Sequence, residues 1–230
     1  MRYVVSDIHG NYELFVKLLK KIKFSKNDEM FILGDVIDKG KDVQKLLNLI
    51  YDSKDQNIFT LTGNHELDFI DFVFDEQDRR VGDKVLVEDC KKYLGVENLT
   101  IEDIDNICHF RFYYEEDDFV LVHAGIKLRE DGTPVPLEET GYETFVYDRK
   151  FKNENVLPKN YKCVIFGHTP TYFTGGMKGK IIKYQKPNTV GNKISDYYKI
   201  QIDTGNYLTG ILGCLRLEDM KEFYVNEFKD

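Results

Sequence analysis

Five short polar motifs interrupt this chain, and each directly follows a run of apolar residues. They are Asp7-Ile8-His9-Gly10-Asn11, Gly34-Asp35-Val36-Ile37-Asp38-Lys39-Gly40, Gly63-Asn64-His65-Glu66, His123-Ala124-Gly125 and Gly167-His168-Thr169. The apolar runs before them are short and rich in β-branched or aromatic residues, the pattern of strands buried on both faces. Four of the five histidines lie in these motifs. A chain that places glycine, carboxylate and imidazole at successive strand ends gathers them at one edge of a sheet. His109 stands outside every motif and reads as structural.

The first 65 residues alternate strand with helix. Apolar runs at 3–5, 30–33 and 58–61 bracket two segments of helical spacing, Leu14, Leu18, Leu19, Ile22 and Val43, Leu46, Leu47, Ile50. This order implies parallel strands joined by crossover helices, with ligands bound beyond the carboxyl ends of the strands. Residues 66–118 read as a helical insertion, with helices after Glu66, over 85–94 and over 101–107. The acidic run 115–118 reads as a solvated turn between two β-prone stretches. Further strands are expected at 163–166, 181–184, 197–202, 211–217 and 222–225. The run Gly175-Gly176-Met177-Lys178-Gly179-Lys180 fails the spacing of a phosphate loop, because position 180 is lysine, and reads as a hairpin turn. No repeat or linker divides residues 1–230, so a single domain is expected.

Thirty-two basic residues against 40 acidic ones leave a net charge of −8. Bulk nucleic acid and anionic membrane are therefore excluded as partners, and any phosphate must be met by a few local cations or by metal ions. No apolar run approaches the roughly 20 residues of a membrane-spanning helix. The N-terminus reads as a strand and not as a secretory signal, and a cytoplasmic location is expected. Cys90, Cys108, Cys163 and Cys214 form no C-x-x-C pair and read as free thiols of a reducing compartment.

Asp7, His9, Asp35, Asn64, His123 and His168 together offer imidazole nitrogens and carboxylate and amide oxygens. That set suits borderline divalent ions such as Mn²⁺, Fe²⁺ or Zn²⁺. No cysteine joins it, which disfavours a structural zinc site. Six ligands with one shared carboxylate serve two ions, about 3.5–4 Å apart in such sites.

The ordered set D-x-H-G, G-D-x-x-D, G-N-H-E, H-A-G and G-H-T resembles the calcineurin-like metallophosphoesterases, and within them the phosphoprotein phosphatase branch. That branch includes Ser/Thr protein phosphatases, small bacterial and phage phosphatases, and symmetrical diadenosine tetraphosphate hydrolases. Ile202-Asp203-Thr204-Gly205 resembles a late signature of the same family. The resemblance implies an α/β sandwich of two mixed sheets flanked by helices. It implies that Asp7 and His9 hold one metal, Asp35 bridges both, and Asn64, His123 and His168 hold the second. Manganese is the expected metal, with iron or zinc as alternatives. A metal-bridging hydroxide would then attack phosphorus directly. His65 would protonate the leaving oxygen, with Asp38 bonded to its far nitrogen to fix the tautomer and raise the pKa. Where the family carries an arginine after the second aspartate, this chain has Lys39, a point charge in place of a bidentate grip. Arg149 falls where the family has a second phosphate-binding arginine.

The expected function is that of a dinuclear-metal phosphatase for phosphomonoesters, above all phosphoserine or phosphothreonine in proteins. The alternative is a symmetrical bis(5'-nucleosyl)-tetraphosphatase, and a third reading is a non-catalytic scaffold on the same fold. The protein-substrate reading rests on the rim. Walls are expected from 66–118, from 127–145 and from the turn near Lys178 and Lys180. The acidic stretches 127–132 and 138–143 would repel a tetraphosphate and tolerate a basic peptide. Lys178, Lys180, Lys183 and Lys186 read as a solvated face. Expected partners are a phosphoprotein, a phosphopeptide or a small phosphorylated substrate.

Overall fold

Period-two alternation in the first strand already separates two layers. In β1 (Arg2–Val5), Tyr3 and Val5 pack toward helices while Val4 packs toward a second sheet, all three buried. Successive side chains of a strand point to opposite faces, so a strand between two layers must be apolar throughout. The structure, a computed structural model, describes residues 1–51, 57–78, 82–154, 158, 160–175 and 179–228. After β1 the chain runs through α1 (Tyr12–Ile22), β2 (Glu29–Ile32), α2 (Val43–Tyr51), β3 (Ile58–Thr60), α3 (Asn64–Asp78), α4 (Asp83–Leu94) and α5 (Ile101–Cys108). It continues through β4 (Tyr113–Glu115), β5 (Phe119–Val122), α6 (Tyr142–Tyr147), β6 (Cys163–Phe166) and β7 (Ile182–Gln185). The last elements are β8 (Tyr197–Gln201), α7 (Asn206–Thr209), β9 (Ile211–Arg216) and β10 (Lys221–Asn226).

These strands form two mixed sheets. The first has the order β10-β9-β1-β2-β3, with β1, β2 and β3 parallel and β9 antiparallel to β1. The second has the order β4-β5-β6-β8-β7, with β5, β6 and β8 parallel and β4 and β7 antiparallel at its edges. Between the sheets, Val4, Phe31 and Leu33 meet Leu121, Ile165 and Ile200. On the outer face of the first sheet, Val5, Met30 and Ile32 lie under Leu14, Phe15 and Leu18 of α1 and Leu46 and Leu47 of α2. On the outer face of the second, Val120, Val164 and Phe166 lie under Phe145 and Val146 of α6 and under Phe151. The sandwich of two mixed sheets flanked by helices matches the expected fold.

Helix starts follow from local side chains. Asn11 accepts from the Leu14 N–H at 3.2 Å to open α1, and Thr100 with Asp103 forms a capping box on α5. The acidic run 115–118 turns between β4 and β5, and two of its members are paired, Glu115 with Lys162 at 2.9 Å and Glu116 with Arg2 at 2.6 Å. The hairpin turn expected over 175–180 finds no support from the strands on either side. The strand before it, β6, pairs with β8 and not with β7, so the flanking strands form no hairpin; residues 176–178 lie outside the described residues. None of the four cysteines forms a disulfide among the described residues. Among the described residues no helix is long and apolar enough to cross a membrane.

Ile200 sits at the centre of the inter-sheet core with no exposed surface. Ile200→Ala should destabilise the fold by about 2–5 kcal/mol. Urea denaturation should show a lower midpoint with an unchanged slope.

Candidate metal centre

Parallel strands deliver the motifs to a common rim. Asp7 follows β1, Asp35 follows β2, Asn64 follows β3, His123 follows β5 and His168 follows β6. The turns interlock through their backbones: the Asp7 N–H donates to Gly34 O at 3.2 Å, His9 N–H to Asp35 O at 2.8 Å, and Gly167 N–H to His123 O at 2.7 Å. The chain is tightly wound here. Asp7, His9, Asp35, Asp38, Lys39 and His168 are six of the nine non-glycine residues with left-handed φ among the described residues. Each such residue costs about 1–2 kcal/mol, and the clustering of that strain marks the rim as functional. Two glycines are required by close approach: a Cβ on Gly63 would collide with Asp35 Oδ1, and one on Gly167 with Ser6 Oγ.

The histidine rings are oriented by backbone carbonyls. His123 is fully buried, and its Nδ1 lies 2.6 Å from Leu33 O. A carbonyl only accepts, so Nδ1 carries the hydrogen and Nε2 is left as an acceptor. That Nε2 faces Asn64 Oδ1 at 3.2 Å, His168 Nδ1 at 3.1 Å and Asp35 Oδ1 at 3.5 Å. His9 uses the same device, with Nδ1 3.2 Å from Ile37 O and Nε2 3.5 Å from Asp35 Oδ2. Two tight groups result, His9-Asp35-His65 and Asp35-His123-His168, each with its candidate ligand atoms within 4.8 Å of one another. His123 Nε2, Asn64 Oδ1 and Asp35 Oδ1 converge, an arrangement that suits a cation. The donor set therefore fits two divalent ions that share Asp35.

Glu66 organises the loops without joining the ligands. It is fully buried at the start of α3. Its Oε2 accepts the N–H groups of Asp35 at 2.7 Å and Gly63 at 2.8 Å, and its Oε1 those of Val36 at 2.8 Å and Ile37 at 3.1 Å. One carboxylate thus ties the turn after β2 to the turn after β3. Burial pushes Asp35 well above the usual carboxylate range, with the charges of Asp7 and Glu66 adding to it. Burial also pushes Asp7 upward, but His123, His9 and the hydrogen bond from Ser6 hold it below its usual value. Burial drops the pKa of His9 to about 4 and that of His168 to about 3. Both rings are therefore neutral near pH 7, the form that binds metal.

Asp7, His9, Asp35, Asn64 and His168 line one cavity of about 290 Å³ together with His65, Lys39 and Arg149, while His123 is buried behind it. Asp7 stands outside both tight groups, because its Oδ2 accepts from Ser6 Oγ and, at 3.1 Å, from the His168 N–H. His65 Nδ1 lies 2.7 Å from Asp38 Oδ2, the pairing expected of them. Burial lowers the His65 pKa, but the Asp38 bond and the Asp35 charge outweigh it and the net direction is upward. Lys39 Nζ reaches His9 Nε2 at 2.8 Å. Asp148 is not engaged with Arg149; its Oδ1 accepts the N–H groups of Lys150 at 2.7 Å and Phe151 at 3.2 Å. His109 closes the end of α5, as a structural residue would.

The expected rim does not line this cavity. Among the described residues, none of its lining comes from 66–118 or 127–145, and Lys180 is absent from it; the far wall is Pro170, Asp203 and residues 205–208. The reason is topological: α6 covers the outer face of the second sheet, whereas the cavity lies beyond strand ends. Lys183 pairs with Glu222 at 2.5 Å, Lys186 donates to Tyr161 O at 3.1 Å and Lys180 lies over the Tyr224 ring. Lys178 lies outside the described residues. Glu66, Asn206 and Tyr207 are among the residues of the site to which the sequence assigned no role. Glu66 sits inside a recognised motif, where a helix-opening acid looks ordinary. Asn206 directly follows the late signature, and its Nδ2 donates to Asp7 O and, at 3.4 Å, to Ile8 O.

Residues 2–202 match the profile of the family described as calcineurin-like phosphoesterase. A symmetrical bis(5'-nucleosyl)-tetraphosphatase from Wigglesworthia glossinidia brevipalpis is 46% identical over 69 residues, 30% of this chain and 25% of that protein. The chain thus spans about a quarter of the length of that relative. A solved chain provisionally described as a diadenosine tetraphosphatase superposes with a TM-score of 0.68 at 14% identity, covering 100% of this chain and 94% of that one. A protein serine/threonine phosphatase from Saccharomyces cerevisiae superposes with a TM-score of 0.56 at 14% identity, covering 100% of this chain and 80% of that one. At these identities the superpositions show the fold alone.

Glu66→Gln exchanges one carboxylate oxygen for an amide donor and leaves backbone N–H groups facing another N–H. Metal affinity should fall about 10–100-fold, as when other partners that orient ligands are lost. Mn²⁺ titration calorimetry on a variant with native circular dichroism checks this; unchanged affinity would contradict the role given to Glu66.

Proposed function

The chain belongs to the calcineurin-like phosphoesterases, and on that premise we propose that it is a metal-dependent hydrolase whose substrates are symmetrical dinucleoside tetraphosphates. Asp7 and His9 would hold one ion, Asn64, His123 and His168 the second, and Asp35 both, with Mn²⁺ the metal proposed. Such a pair supplies Lewis acidity and lowers the pKa of water at the site. Lys39 and Arg149 both line the cavity and would bind phosphate oxygens. His65 would hand its proton to the leaving oxygen, with Asp38 holding the ring in the required tautomer.

The cavity wall carries this reading. With the acidic stretches absent from the lining, a polyanion meets Lys39 and Arg149, and among the described residues neither is held by a carboxylate. The description of the Wigglesworthia relative supports the same substrate class. A second reading, hydrolysis of phosphoserine or phosphothreonine, is favoured by the His65–Asp38 pair. A serine or threonine alkoxide is a poor leaving group that needs a proton, whereas a nucleoside diphosphate leaves readily.

Measured under the same Mn²⁺ and salt conditions, kcat/KM for diadenosine tetraphosphate should exceed that for a phosphothreonine peptide at least about tenfold, a difference of about 1.4 kcal/mol in transition-state binding. The reverse order would promote the phosphoprotein reading.

His65→Asn should retain metal and lose roughly 10²–10⁴-fold in turnover of a poor-leaving-group ester. The loss should shrink with p-nitrophenyl phosphate. A general acid acts protonated, so activity falls as pH rises through its pKa. Because the Asp38 bond raises the His65 pKa, Asp38→Asn should move that falling limb to lower pH. A limb that stays in place in a pH–rate profile would remove Asp38 from this role.

A further inference from the structure

Large apolar side chains that stay exposed at the lip of a polar site need a reason. Tyr207 is 65% exposed and Leu208 is 56% exposed, yet both line the metal cavity. They are carried by α7, a single turn that is tethered and not loose. Asn206, 4% exposed, donates from Nδ2 to the backbone oxygens of Asp7 and Ile8, which binds this turn to the first metal-ligand loop. Gly205 N–H donates to Asp203 Oδ1 at 2.7 Å, and Thr209 Oγ1 donates to Gly205 O at 3.0 Å. The backbone that carries Tyr207 is thus held at a set place relative to the ligands.

Its surroundings indicate what would cover it. Lys39 Nζ lies 6.0 Å from the ring centroid and 2.8 Å from His9 Nε2, so one cation stands between the ring and the metal ligands. A second cavity, about 320 Å³, shares His9, Lys39, Asn206 and Tyr207 with the first and continues past Lys41. A molecule with phosphates at the metals and at Lys39 would meet, next along its length, an exposed aromatic face. We propose that Tyr207 is a stacking platform for a nucleobase of the substrate, and so a specificity-determining residue of this site. The inference rests on the dinucleotide reading above. Stacking between a base and an aromatic side chain is sequence-tolerant and contributes through the π face of any base, so adenine is not demanded over guanine.

The chain contains no tryptophan, which allows a direct readout. In Tyr207→Trp the only indole is at the platform, and its fluorescence should be quenched by ADP and not by ribose 5-phosphate, in the presence of Mn²⁺. In Tyr207→Ala, the ratio of kcat/KM for diadenosine tetraphosphate to that for glycerol 2-phosphate should fall roughly tenfold to a hundredfold, mostly through KM. Tyr207→Phe, which keeps the ring, should restore most of the ratio. If diadenosine tetraphosphate is hydrolysed well but the ratio is the same in Tyr207→Ala and ADP leaves the indole emission unchanged, the platform is overturned while the dinucleotide reading stands. If diadenosine tetraphosphate is not hydrolysed but ADP still quenches, the platform stands and the dinucleotide reading falls. Equal quenching by ADP and ribose 5-phosphate would also overturn the platform, because phosphate alone would then account for binding.

Discussion

The carboxylate of Glu66 holds four backbone N–H groups, and the geometry of the rim depends on it. Through Asp35, Val36 and Ile37 it shapes the turn after β2, and through Gly63 it closes the turn after β3. A buried carboxylate is stable only when its oxygens are satisfied by donors, and here the donors are the backbone of the loops that carry the ligands. The same bonds bring Gly63 so close to Asp35 that no side chain fits between them. Position 63 is glycine for that reason, and Asp35 is placed where both groups of imidazoles can reach it.

The electrostatics of the site point the same way. Asp7, Asp35 and Glu66 are buried within one small volume of a chain that already carries a net charge of −8. Asp35 resists ionisation there, and His9 and His168 stay neutral. Neutral imidazoles and crowded oxygens are poor company for one another but good ligands for divalent cations. Such cations would also provide the positive charge for phosphate that the overall composition lacks. Left-handed backbone at six of the site residues adds strain that the interlocking turns and Glu66 hold in place.

Fold and substrate choice are separate questions in this protein. Solved structures with different described substrates superpose on it at similar low identity, so the sandwich does not distinguish among them. The proposed substrate choice rests instead on the wall made by Pro170, Asp203 and residues 205–208, and on the cations Lys39 and Arg149 beside it. No residue of the acidic stretches at 127–132 and 138–143 lines the cavity.

Much of this was legible in the chain before its folding was known. Apolar runs and helical spacing are local signals, so the order of strands and helices, the strand-end positions of Asp7, Asp35, Asn64, His123 and His168, and the donor types that suit divalent metals could all be read directly. Glu66, Asn206 and the true cavity wall could not, because each is defined by contacts between distant segments. Asn206 is 199 residues from the Asp7 carbonyl it binds. It arrives there because β9 pairs with β1 while β8 pairs with β6, which puts the segment between β8 and β9 beside the first loop. The sequence alone determined which residue types stand at the strand ends, since that follows from residue type and local period. Only the tertiary structure decided which atoms face one another and which surface walls the site, since that follows from strand order and from backbone hydrogen bonds that no local pattern encodes.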